Sequence, residues 1–111
     1  KFDVLILSSG EDGHIGALYP NHHSIKSNKE GFFTMDDSPK PPPDRMTASK
    51  KMIVKAKVAF ILFIGEGKRD AYKMFNDIKV KVNKCPCKLV KETKKYYIVT
   101  DLIQDKVIRK A

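Results

Sequence analysis

Phe2-Asp3-Val4-Leu5-Ile6-Leu7-Ser8-Ser9-Gly10-Glu11-Asp12-Gly13-His14 is the stretch that decides the fold class of this chain. Residues 2–7 are a short, apolar, partly β-branched run, which reads as a buried strand. The run breaks into a polar loop punctuated by Gly10 and Gly13. In an open α/β sheet, ligands bind just past the C-terminal ends of the strands. His14 lies at such a place and is the first candidate for chemistry. A strand buried on both sides needs neighbours, and this one opens the sequence. Material upstream is therefore expected to complete its packing.

The same reading extends along the chain. Residues 21–30 are polar and read as a surface loop, with His22 and His23 exposed to solvent. Gly31 to Met35 is a second strand. Asp36 to Arg45 contains Pro39, Pro41, Pro42 and Pro43, which fix φ and remove backbone donors, so this is a stiff extended loop. Met46-Thr47-Ala48 reads as a short strand. Ser49 is placed to cap a helix carrying Met52, Ile53 and Ala56. Val58 to Ile64 is the clearest buried strand, and Gly65-Glu66-Gly67-Lys68 turns the chain into a helix. Ala71, Met74, Phe75 and Ile78 recur there at helical spacing. Tyr96 to Val99 is a further strand, and Leu102, Ile103, Val107 and Ile108 suggest a terminal helix. Strands alternating with helices predict an α/β sandwich with a largely parallel sheet.

Composition narrows the function classes. At 111 residues and 41% hydrophobic, the chain holds one modest domain. Lys and Arg outnumber Asp and Glu by 22 to 13, for a net charge of +9. That balance suits an anionic partner: a nucleic acid, a membrane surface or a phosphorylated metabolite. The lysines are scattered, and no arginine-rich block or stacking pattern marks a nucleic-acid module. The apolar run Val58 to Ile64 falls far short of the roughly 20 residues of a spanning helix. No leader is visible at the start, and Cys85 and Cys87 lie too close for the usual zinc spacing. They read as reduced thiols of an intracellular protein. Neither the phosphate loop of nucleotide hydrolases nor the dinucleotide fingerprint is satisfied, since Arg69 follows Lys68 and the first glycine is missing before Gly10.

Three motifs in order carry a resemblance. Asp12-Gly13-His14-Ile15-Gly16-Ala17-Leu18-Tyr19-Pro20, Asp37-Ser38-Pro39-Lys40-Pro41-Pro42-Pro43-Asp44-Arg45-Met46-Thr47 and Gly65-Glu66-Gly67-Lys68 resemble signatures of the 6-phosphogluconolactonase and glucosamine-6-phosphate isomerase superfamily. The resemblance implies a Rossmann-like three-layer α/β sandwich. It identifies residues 1–111 with the C-terminal part of one domain. The family's first half, with its glycine/serine-rich phosphate loop and active-site arginine, has no counterpart here. Aminosugar deaminases of the family carry a glutamate immediately before the closing proline of the first motif. Tyr19 stands there, which sides with the lactonase branch.

Lactone hydrolysis adds water to a carbonyl through an oxyanion. It needs a base near neutrality, and an unperturbed imidazole titrates near about 6.5. The resemblance makes His14 that base and Asp12 its orienting partner, although Asp12 at i−2 also suits an Asx-turn. Lys40 and Arg45 flank the stiff proline run, and Lys68 stands at a helix entrance; all three suit a phosphate. Gly10 and Gly13 are expected to give the backbone its conformation or to let substrate approach. No metal or cofactor is called for. The expected partner is a sugar-phosphate lactone, with no nucleic acid and no membrane. The expected location is cytoplasmic, and fusion to glucose-6-phosphate dehydrogenase is compatible with the chain. An aminosugar-phosphate deaminase and a basic nucleic-acid-binding module remain the alternatives.

Overall fold

The computed structural model describes residues 1–102. Three strands form a parallel sheet in the order β1-β4-β5: β1 (Val4–Ser8), β4 (Val58–Phe63) and β5 (Tyr96–Thr100). Val4 lies opposite Val58 and Ser8 opposite Leu62, while Ala59 pairs with Tyr96 and Phe63 with Thr100. Between β1 and β4 the chain makes an antiparallel hairpin of β2 (Phe32–Met35) and β3 (Arg45–Ala48). The proline-rich stretch is the connection of this hairpin, and its Pro41–Pro42 peptide is cis. The mixed α/β character and the parallel sheet agree with the sequence reading.

Alternation along β4 explains why the sheet packs as it does. Ala59, Ile61 and Phe63 are fully buried. They lie on the face that also carries Leu5 and Leu7, against Ile53, Phe75 and Val90. On the opposite face, Val4 and Ile6 are 57% and 66% exposed, with Tyr97 and Val99 at 45% and 42%. β1 is accordingly an edge strand of the described sheet, half-exposed rather than buried on both sides.

Helix α2 (Lys50–Val54) starts where Ser49 accepts the Met52 amide, as the sequence suggested. Ile53 and Ala56 are buried, but Ala56 lies past the helix end. Helix α3 (Arg69–Asn76) buries Ala71 and Phe75. It ends before Ile78, which is 90% exposed instead of completing the apolar face. Asp77 takes an extended conformation, and its carboxylate accepts the Lys79 amide. This Asx-type turn stops the helix. Lys91 Nζ donates to the Phe75 carbonyl at 2.8 Å, and Lys88 Nζ donates to the carbonyls of Asp77 and Val80. Two of the many lysines thus neutralise the negative end of α3 rather than serve a solvated face.

Two other segments differ from expectation. Residues 21–30 include a short helix, α1 (His23–Lys26), whose Ser24 and Ile25 are buried. Residues Pro86–Glu92 form a 3-10 helix that contributes Pro86, Cys87, Leu89 and Val90 to the core. The expected terminal helix lies outside the described residues, apart from Leu102, which is buried.

Candidate active site

Because β1 and β4 run parallel, the loops that leave them emerge at the same edge of the sheet. The loop after β1 closes on itself: Gly13 N–H donates to the Gly10 carbonyl at 3.0 Å, and Gly10 N–H to the His14 carbonyl at 2.8 Å. Gly13 adopts φ 91°, a conformation side chains oppose. Gly10 is needed for space. A Cβ there would lie 2.1 Å from both Cε1 and Nδ1 of His14. The close approach is thus made by the imidazole of the chain itself.

His14 Nδ1 stands 2.6 Å from Asp12 Oδ1, and the same oxygen accepts the His14 amide at 3.1 Å. Asp12 therefore makes both contacts the sequence allowed, an Asx-turn to the backbone and a hydrogen bond to the ring. Burial acts to raise the Asp12 carboxyl, but the hydrogen bonds from the His14 ring and amide outweigh it and hold it below its ordinary value. An ionised Asp12 accepts from Nδ1–H, which leaves Nε2 of a neutral ring with its lone pair free. The arrangement holds the ring in one orientation and one tautomer. His14 is 20% exposed, so a water or substrate can reach it.

The other candidates are distributed unevenly. Lys40 Nζ lies 3.8 Å from Asp12 Oδ2, so the proline-rich loop leans over the His14 loop. The turn Gly65–Lys68 also comes alongside, since a Cβ at Gly67 would touch Glu11 Oε2 at 2.8 Å. Lys68 ends a 3-10 turn (Glu66–Lys68) just before α3. Arg45 is engaged locally. Its Nε donates to the Pro42 carbonyl at 3.0 Å and its Nη2 to the Pro41 carbonyl at 2.8 Å. The guanidinium therefore stiffens the loop that carries Lys40.

Several groups have packing at the site that the sequence reading did not foresee. Tyr19 is fully buried, with its ring centroid 4.9 Å from that of His14. Its hydroxyl has no hydrogen-bond partner among the described residues. Cys87 N–H donates to the Gly13 carbonyl at 2.9 Å, and Cys85 packs against Gly13. The Cys-Pro-Cys run is thus the floor of the His14 loop. Both thiols are free and buried, with their Sγ atoms 3.3 Å apart. The hydrogen bond with Cys85, reinforced by burial, pushes the Cys87 thiol up and keeps it protonated. Their packing role had no local signal, because it depends on contacts some seventy residues apart in sequence. His22, expected to be exposed, has a side chain only 15% exposed.

A parallel sheet with a carboxylate-bonded histidine just past the end of β1, and Lys40 beside that carboxylate, defines a class: an α/β protein whose candidate site lies at the C-terminal edge of its strands. Residues 1–99 match the family described as glucosamine-6-phosphate isomerases/6-phosphogluconolactonase, and the chain belongs to that family. It is 35% identical over 104 residues to a 6-phosphogluconolactonase of Borreliella burgdorferi, covering 94% of this chain and 44% of that protein. A 6-phosphogluconolactonase of Mycobacterium tuberculosis is 39% identical over 71 residues, covering 64% of this chain and 29% of that protein. Among solved structures, the 6-phosphogluconolactonase of Leishmania guyanensis superposes with a TM-score of 0.74 at 19% identity, over 96% of this chain and 42% of its own. That of Thermotoga maritima gives 0.73 at 20% identity, over 90% and 43%. These likenesses establish the fold. The chain spans less than half the length of the relatives it matches.

Proposed function

We propose that this chain carries the histidine-bearing part of a 6-phosphogluconolactonase, which hydrolyses 6-phospho-D-glucono-1,5-lactone to 6-phosphogluconate. The observation that carries the reading is the His14–Asp12 pair, 2.6 Å apart, at the C-terminal edge of a parallel sheet. Its relatives' names point the same way. In this reading a water molecule attacks the lactone carbonyl while His14 Nε2 takes its proton. The C–O bond forms as the carbonyl becomes an oxyanion. Collapse expels the ring oxygen, and the imidazolium returns its proton to that oxygen. Asp12 keeps the ring in the tautomer this needs and stabilises the imidazolium. Lys40, Arg45 and Lys68 supply positive charge for the distal phosphate, and Gly10 and Gly13 shape the loop beneath the substrate.

The whole activity belongs to a larger domain than residues 1–111. The uncovered sheet face with Val4, Ile6, Tyr97 and Val99 supports this, since an apolar patch of that kind asks for a covering layer. No described helix is long and apolar enough to cross a membrane. A cytoplasmic location, and the compatibility with fusion to glucose-6-phosphate dehydrogenase, follow from the same reading. The decisive assay uses the complete protein with 6-phosphogluconolactone, subtracting spontaneous hydrolysis, alongside ammonia release from glucosamine 6-phosphate. Lactone turnover without ammonia is expected. Ammonia release, or no lactone turnover, refutes the reading. Residues 1–111 expressed alone are expected to be inactive.

A further inference from the structure

His22 stands between the two loops that the proposed reaction needs. Its Nδ1 accepts the Ser24 amide at 3.1 Å and lies 2.8 Å from the Ser24 hydroxyl. A ring nitrogen that accepts carries no proton, so in the neutral ring the proton sits on Nε2. Nε2 faces the Asp37 carbonyl at 3.2 Å. On its other side the ring meets Tyr19 edge-on, with centroids 5.8 Å apart. Tyr19 is in turn packed against His14. Asp37 opens the proline-rich loop that carries Lys40 and Arg45.

We propose that His22 is a positioning residue, which sets the proline-rich loop against the His14 loop by donating Nε2–H to the Asp37 carbonyl. The inference rests on the lactonase reading given above. His22, His23 and Asp37 do bring three ligand-type atoms within 4.8 Å of one another. The Nε2 proton occupies the lone pair a metal would need, so the cluster is a hydrogen-bonded brace. Within it the two histidines are unequal. His23 Nε2 lies 2.8 Å from the Asp37 carboxylate, but both side chains are more than half exposed, and such surface pairs contribute little. The weight falls on His22, which is mostly buried and held from two sides.

The test is steady-state kinetics of the complete protein with 6-phosphogluconolactone. Losing a neutral hydrogen bond typically costs about 0.5–1.5 kcal/mol. His22→Ala should therefore raise KM roughly two- to tenfold, with kcat changed much less. His22→Gln, which restores a donor at the Nε2 position, should recover most of the loss. His23→Ala should leave both constants near wild type. An unchanged KM in His22→Ala, an equal effect in His23→Ala, or no recovery by His22→Gln overturns the inference while leaving the lactonase reading intact. Absence of turnover in the wild-type protein instead overturns that reading itself.

Discussion

Gly10→Ala is the substitution that most directly tests how the His14 ring is seated. The new Cβ would lie 2.1 Å from His14 Cε1 and Nδ1, and 2.9 Å from Asp12 Oδ1. Carbon contacts settle near about 3.5 Å, so the ring must retreat by roughly 1.4 Å. That displacement breaks the 2.6 Å bond to Asp12 and misaims Nε2. A misplacement of about 1 Å can cost on the order of 10²-fold in rate, so kcat of the complete protein should fall by about that factor. A double-mutant cycle separates this from general damage. With the imidazole removed by His14→Ala, the methyl group meets only the end of the Asp12 side chain at 2.9 Å, which can turn aside, and adding Gly10→Ala should lower kcat little further. The coupling between the two positions should approach about 2.7 kcal/mol, the equivalent of 10²-fold. The assay is initial-rate lactone hydrolysis with the spontaneous rate subtracted, run on all four proteins. A Gly10→Ala enzyme within twofold of wild type, or an equal loss in the His14→Ala background, refutes the reasoning.

Other expectations follow from the same geometry. His14→Ala alone should lower kcat by about 10²–10⁴-fold and leave KM nearly unchanged; a retained kcat would move the base elsewhere, with Asp12 the first group to test. Lys40→Ala, Arg45→Ala and Lys68→Ala should each raise KM about ten- to hundredfold, as lost charge-assisted hydrogen bonds do, and an unchanged KM in all three would remove them from the site. Tyr19→Phe deletes a buried hydroxyl that lacks a partner among the described residues and should stabilise the complete protein by about 1–3 kcal/mol in urea melts; destabilisation would reveal a partner for it. Asp12 has a folded-state value below its unfolded one. Its contribution to stability is therefore full above the unfolded value of about 3.9 and is lost as pH falls through the lower folded value. Melts taken from pH 6 downward should show a flatter acid decline in Asp12→Asn, and parallel curves would contradict the assignment.

What was legible in the sequence is what short-range physics dictates. The strands at 58–63 and 96–100 show as apolar runs, and Ser49 declares its cap three positions before it closes on Met52. Asp12 and His14 are two residues apart, so their pairing needs no tertiary knowledge. Ile78 misled because periodicity alone continues past Asn76, whereas the chain stops there to make the Asp77 turn and to place carbonyls under Lys88 and Lys91. His22 and the Cys-Pro-Cys floor were hidden for the opposite reason: their importance lies in contacts with Asp37 and Gly13, far off in sequence. Arg45 has a local role that its charge did not announce, since its guanidinium donates to the carbonyls of the proline-rich loop.

The parallel pairing of β1 with β4 has a consequence in time as well as in space. Val4 meets Val58 only after half the described chain has been drawn into a loop, and closing such a loop is slower than forming a local turn or helix. His14 and Asp12 can find each other early, but the Gly65–Lys68 turn reaches them only once the strands have zipped. During refolding from denaturant, backbone signals from the helices should return first. The chemistry should return last, because the edge that hosts it does not exist until the slowest pairing is complete.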